Sequence, residues 1–127
     1  MPENHLFEYA VIRVVPRVER EEFLNVGVIL YCRDQHFLQS KFSLDEPRIA
    51  AFCHLINMDE LKEHLLAIER ICKTGKEAGP IGQLDMASRF RWLTAQRSTI
   101  VQTSKVHPGL CERADETLDR LFNQMVL

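Results

Sequence analysis

The chain has 127 residues, with 16 Lys+Arg against 18 Asp+Glu and a formal net charge of −2. Apolar residues make up 46 % and charged residues 27 %, a balance that excludes a disordered tail, while only 5 Gly and 5 Pro exclude a collagen-like or linker composition. Without a basic excess, non-specific duplex binding through overall charge is excluded too, and the length suits a single domain, 1–127, that buries roughly two-thirds of its unfolded surface.

Residues 6–15 (LFEYAVIRVV) are β-branched and aromatic, and Pro16 ends the run. Both alternate sets are mostly apolar, which predicts a strand covered on both faces. The charged segment 17–22 reads as a loop or a short helical turn. Residues 23–32 (FLNVGVILYC) are the second strand, and Gly27 inside it predicts a bulge or a close backbone approach. Arg33, Asp34 and Gln35 form a turn, and 36–42 is a third strand, so the three make an antiparallel meander.

The middle is helical. Ser43 and Glu46 have capping-box spacing, which predicts a short helix over about 47–56. Asn57 caps a second helix, on which Met58, Leu61, Leu65, Ile68 and Cys72 form one apolar stripe. Gly75 falls where a left-handed C-terminal residue belongs, and 78–82 (AGPIG) reads as a turn. A short helix is expected within 84–93, a fourth strand at 98–103, a turn at Pro108-Gly109, and a closing helix over 115–126 with Leu118, Leu121, Phe122, Met125 and Val126 on one face. The fold expected is α+β: an antiparallel sheet of about four strands packed against helices from the middle and the C-terminus.

The start of the chain shows no basic region followed by an apolar run, and no stretch approaches the roughly 18 apolar residues of a membrane span. Cys32, Cys53, Cys72 and Cys111 sit in apolar settings without a CxxC pair. Reduced, buried thiols and a cytoplasmic location are the expectation.

Charge distribution is more informative than its sum. From 86 to 111 there is no Asp or Glu, while Arg89, Arg91, Arg97, Lys105 and His107 all occur there. Ser98 and several other hydroxyl and amide side chains lie among them. Guanidinium forks and hydroxyls suit phosphate or carboxylate oxygens, and Trp92 offers a stacking face. These residues form the candidate anion-binding set: Arg89, Arg91, Trp92, Arg97, Ser98, Lys105 and His107. The bland alternative pairs the arginines with the acidic remainder and places Phe90 and Trp92 in the core.

A second cluster, Arg17, Glu19, Arg20, Glu21 and Glu22, precedes Asn25. Glu21 or Glu22 could serve as a base or bind a cation, and His107 could carry a proton. The alternative is an exposed connection whose charges keep a sheet edge soluble. The histidines lack metal-site spacing, so neither a metal nor a cofactor is expected.

Segments 8–16 (EYAVIRVVP) and 20–30 (REEFLNVGVIL) resemble the opening of the bacterial family called domain of unknown function 3037. Segments 78–82 (AGPIG), 89–95 (RFRWLTA), 97–99 (RST) and 107–111 (HPGLC) are similar to its second half. The resemblance implies no activity and no catalytic residues. It does imply genomic company with a protein of HipA-like kinase fold, and hence a protein partner of that kind.

Three functional readings follow. The favoured one is a non-enzymatic accessory or binding module that holds an anionic ligand or a protein partner through the Arg-rich surface. The second is a small hydrolase or transferase acting on a phosphorylated substrate, which needs Glu21 or Glu22, His107 and Arg97 in one concave site. The third, a single-stranded nucleic-acid binder, is permitted by the basic, aromatic segment and opposed by the net charge.

Overall fold

The computed structural model describes residues 4–73, 79–97 and 99–127. Strand β1, His5–Val14, is central, with neighbours on both sides in the sheet. It pairs antiparallel with β2, Leu24–Cys32, which pairs with β3, Phe37–Phe42, completing the expected meander. The β2–β3 turn closes on His36, which takes φ 49.

Gly27 marks the bulge. Ile12 faces Gly27 while Arg13 faces Asn25, so Val26 is the extra residue. A Cβ on Gly27 would lie 2.7 Å from the Lys41 carbonyl oxygen and 2.9 Å from Phe42 Cβ, so only glycine fits.

The other side of β1 is shared by two segments. Strand β4, Val101–Thr103, pairs with Ile12 to Val14, and β5, His107–Cys111, pairs with His5 to Tyr9. The sheet therefore has four strand positions built from five segments. Between β4 and β5, Ala10 and Val11 oppose Ser104, Lys105 and Val106, a second bulge. Buried Ser104 bridges it: its Oγ accepts the Val11 amide at 2.8 Å and its own amide donates to the Val11 carbonyl at 2.8 Å.

Pro108-Gly109, expected as a turn, lies inside β5 instead. Val11 and Val15 direct their amides toward Ser104 and Ile100. Strand alternation then turns the Glu8 amide toward β2, so Pro108, opposite Glu8, has its ring nitrogen at the open edge, where no donor is needed. Gly109 lies under the Phe7 ring, which a Cβ would meet at 2.5 Å.

Helix α1, Glu46–Phe52, is shorter than expected, because Cys53 takes extended backbone and ends it. Its cap is Asp45, which accepts the Arg48 amide at 3.1 Å, rather than Ser43. Asn57 caps α2, Met58–Lys73, accepting the Glu60 amide at 3.1 Å. Gly75 lies outside the described residues. A 3-10 turn, Ile81–Gln83, leads into α3, Met86–Leu93. Helix α4, Ala114–Met125, closes the chain. Arg113 at its N-cap offers no side-chain acceptor, and Gln35 Oε1 from the β2–β3 turn takes the Ala114 amide at 2.8 Å.

The sheet separates two cores, as the doubly apolar β1 requires. Ile12, Val14, Ile29 and Tyr31 pack against α1, α2 and α3. Phe7, Val28, Leu30 and Cys32 pack against α4. All four cysteines are free thiols; Cys32, Cys72 and Cys111 are buried, while Cys53 is partly exposed, since it lies past the end of α1 beside a surface pocket.

Candidate functional site

Helix α3 organises the basic segment. Asp85 accepts the Ser88 amide at 2.7 Å, and this bond holds its carboxyl below the usual range. Phe90 and Leu93 face the core and fix the helix rotation, with Arg89 turned inward beside them. Arg91 and Trp92 point outward, the partition that a 3.6-residue period dictates.

The three arginines have different fates. Arg89 is only 5 % exposed. Its Nη1 donates to the carbonyls of Ile71 at 2.7 Å and Cys72 at 2.9 Å, and its Nε to Leu84 at 3.1 Å. It closes the last turn of α2, whose carbonyls lack helical partners, and so leaves the set of surface cations. Arg91 makes a two-pronged pair with Glu8, at 2.8 and 3.0 Å. The hydrogen bond to Glu8 pushes its pKa up. Arg97 folds back on Trp92: its guanidinium carbon sits 4.0 Å from the ring centroid, and Nη2 donates to the Trp92 carbonyl. Partial burial pushes the Arg97 pKa down.

Trp92, 39 % exposed, and Arg97 stand at the rim of a cleft of about 250 Å³ between α2, α3 and β4. Ile68, Ile71, Leu93 and Val101 form its apolar floor. His64 and Thr99 supply further polar groups, with His64 Nε2 3.9 Å from Glu60. Sequence reading did not place His64 here. The available signal was its spacing from Ile68 and Ile71, which puts all three on one side of α2. Ser98 lies outside the described residues.

The remaining candidates lie elsewhere. Lys105 is exposed at the second bulge. His107 packs its ring on Tyr9, centroids 5.4 Å apart, on the α4 side of the sheet. Arg91, Trp92 and Arg97 are on the opposite side with α3. Glu21 is exposed with φ 56, and Glu22 pairs with Arg20 at 2.7 Å. Glu22 lines a different pocket, of about 470 Å³, with Arg17, Arg20 and Cys53. That pocket adjoins the Val14–Leu24 rung, five residues along β1 from the Tyr9–His107 rung, or about 17 Å. The convergence of Glu21 or Glu22, His107 and Arg97 that the catalytic reading needs is therefore not met. Among the described residues, no group of three or more His, Cys, Asp and Glu is arranged to hold a metal, and no helix is long and apolar enough to cross a membrane.

Residues 9–126 match the family model described as protein of unknown function (DUF3037), so this α+β chain belongs to that family. No curated protein and no solved structure matches the chain.

Proposed function

We propose that this domain is a non-enzymatic binding module that holds a small anionic ligand with a planar or apolar body in the cleft between α2, α3 and β4. One observation carries the reading: a guanidinium stacked on a half-exposed indole at the rim of an apolar-floored cleft. Such an arrangement offers an anion two-pronged hydrogen bonding and offers the ligand's body an aromatic wall. The volume, below the usual range for drug-sized ligands, fits a short carboxylate or a single phosphate ester. The separation of Glu21, Glu22 and His107 favours binding over acid–base catalysis.

Trp92 is the chain's single tryptophan, so its fluorescence reads the cleft directly. Titration with inorganic phosphate, benzoate and phenyl phosphate should perturb Trp92 emission with saturation. Arg97→Ala should weaken binding about tenfold or more, the scale of one charged hydrogen bond. Unsaturable quenching, or unchanged affinity in Arg97→Ala, overturns the reading.

A further inference from the structure

A second surface, on the other face of the sheet, has chemistry of its own. Helix α4 packs over β2 and β3. Beside it, on β1, β4 and β5, runs a strip containing Arg13, Tyr9 and His107. His107 is exposed, Tyr9 and Arg13 are partly so, and Phe23, 45 % exposed, lies at the Arg13 end.

Arg13 is the unusual residue. Its guanidinium carbon sits 3.9 Å from the Phe23 ring centroid, and its Nε is buried with no hydrogen-bond partner. Among the described residues no carboxylate or carbonyl meets it. Its rung neighbour Asn25 gives its amide nitrogen to the Met125 carbonyl at 3.1 Å, and Asn25 Oδ1 is a further partnerless atom. A half-buried cation without a counter-charge is costly, and an external anion compensates it. Burial also lowers the Arg13 pKa.

Four residues along β1, about 13 Å away, the Tyr9 and His107 rings offer a stacking surface. Lys105 sits at the edge between the two points. The β1 residues facing this side, and all of β4 and β5, lack Asp and Glu. Glu22, next to Phe23 in sequence, is paired with Arg20, and Glu8, next to Tyr9, faces the other side of the sheet and is paired with Arg91. Cations without carboxylates, alternating with ring faces on an open sheet, match the two components of single strands: phosphates and unstacked bases.

We propose that this strip is a binding face for single-stranded nucleic acid, with Tyr9 and His107 stacking a base and Arg13 contacting a phosphate about one dinucleotide away. The net charge of −2 does not oppose it, since the face, not the whole chain, meets the strand.

The test is fluorescence anisotropy of labelled oligouridylate and oligothymidylate with the full chain. Binding should weaken about tenfold between about 50 and 200 mM salt, the slope of two or three phosphate contacts. His107→Ala, at an exposed position, should weaken it about tenfold through lost stacking. Arg13→Gln should weaken it and flatten the salt slope, and Lys105→Ala supplies the charge test should Arg13→Gln unfold the chain by circular dichroism. Arg97→Ala, in the other cleft, should bind oligonucleotide like wild type, so this proposal and the small-anion reading stand or fall separately. Absence of binding at about 50 mM salt, equal binding of duplex, or full binding by folded His107→Ala overturns it.

Discussion

Arg89 and Ile71, 18 positions apart in the chain, are joined by a 2.7 Å hydrogen bond from guanidinium to backbone carbonyl. With Cys72 and Leu84 also accepting, one side chain ties α3 to the end of α2. Arg89→Ala strands buried carbonyls, and a loss of about 3 kcal/mol is expected by urea denaturation. Arg89→Lys should recover only part, because an ammonium cannot reproduce the planar fork. Arg91→Ala, two positions on, should cost within about 1 kcal/mol, since the Arg91 side chain is largely exposed and solvent screens its pair with Glu8. Equal losses from the two alanine variants would contradict this division of roles.

Gly27→Ala should destabilise by about 2 kcal/mol, because the new methyl meets backbone at 2.7 Å rather than a side chain that can swing away. Thermal denaturation followed by circular dichroism checks it, and an unchanged midpoint would show that β3 can yield at Phe42.

Ser104→Ala removes the acceptor for the Val11 amide in the middle of the sheet. The expected cost is about 1–3 kcal/mol, that of a buried donor without a partner. Hydrogen exchange of the Val11 amide should accelerate in the variant. Protection equal to wild type would mean that another acceptor replaces the hydroxyl.

Burial pushes the Cys72 thiol from its ordinary value near 9 up to about 12. Below pH 9 the thiol is protonated whether the chain is folded or not, so its contribution is fully present. Between pH 9 and 12 the unfolded chain loses this proton first, and stability falls as pH rises. Native-state labelling at about pH 8 should modify partly exposed Cys53 first, with Cys72 reacting only on unfolding. Early modification of Cys72 would contradict its burial.

The meander, the α2 stripe and the closing helix are legible because each follows a single period. Gly27 is legible as well, since glycine in an apolar strand has few other reasons to be there. Pro108-Gly109 misleads because its dipeptide chemistry is that of a turn, whereas its position at an edge and under Phe7 is set by tertiary pairing. The candidate anion set reads as one surface because its residues fall within one acid-free stretch of sequence. Sequence shows the missing carboxylates, but not that Arg89 turns inward to bond carbonyls from α2. Nor does it show that Glu8, 83 positions from Arg91, supplies that arginine's partner. Among the described residues of the set, only the stacked Trp92 and Arg97 lie together at one cleft.

The extra residue between β4 and β5 does more than interrupt a ladder. Side chains alternate with period two, and a bulge takes its extra residue out of that count. Thr103 opposite Ile12 belongs to the α2 and α3 side, whereas His107 opposite Tyr9 belongs to the α4 side. A single unbulged strand of the same residues would have put both on one side. Deleting Lys105 would match Ser104 and Val106 to Val11 and Ala10, smooth the edge and leave His107 beside Tyr9, so the extra residue shapes the rim of the sheet without deciding which ligand surface the histidine serves.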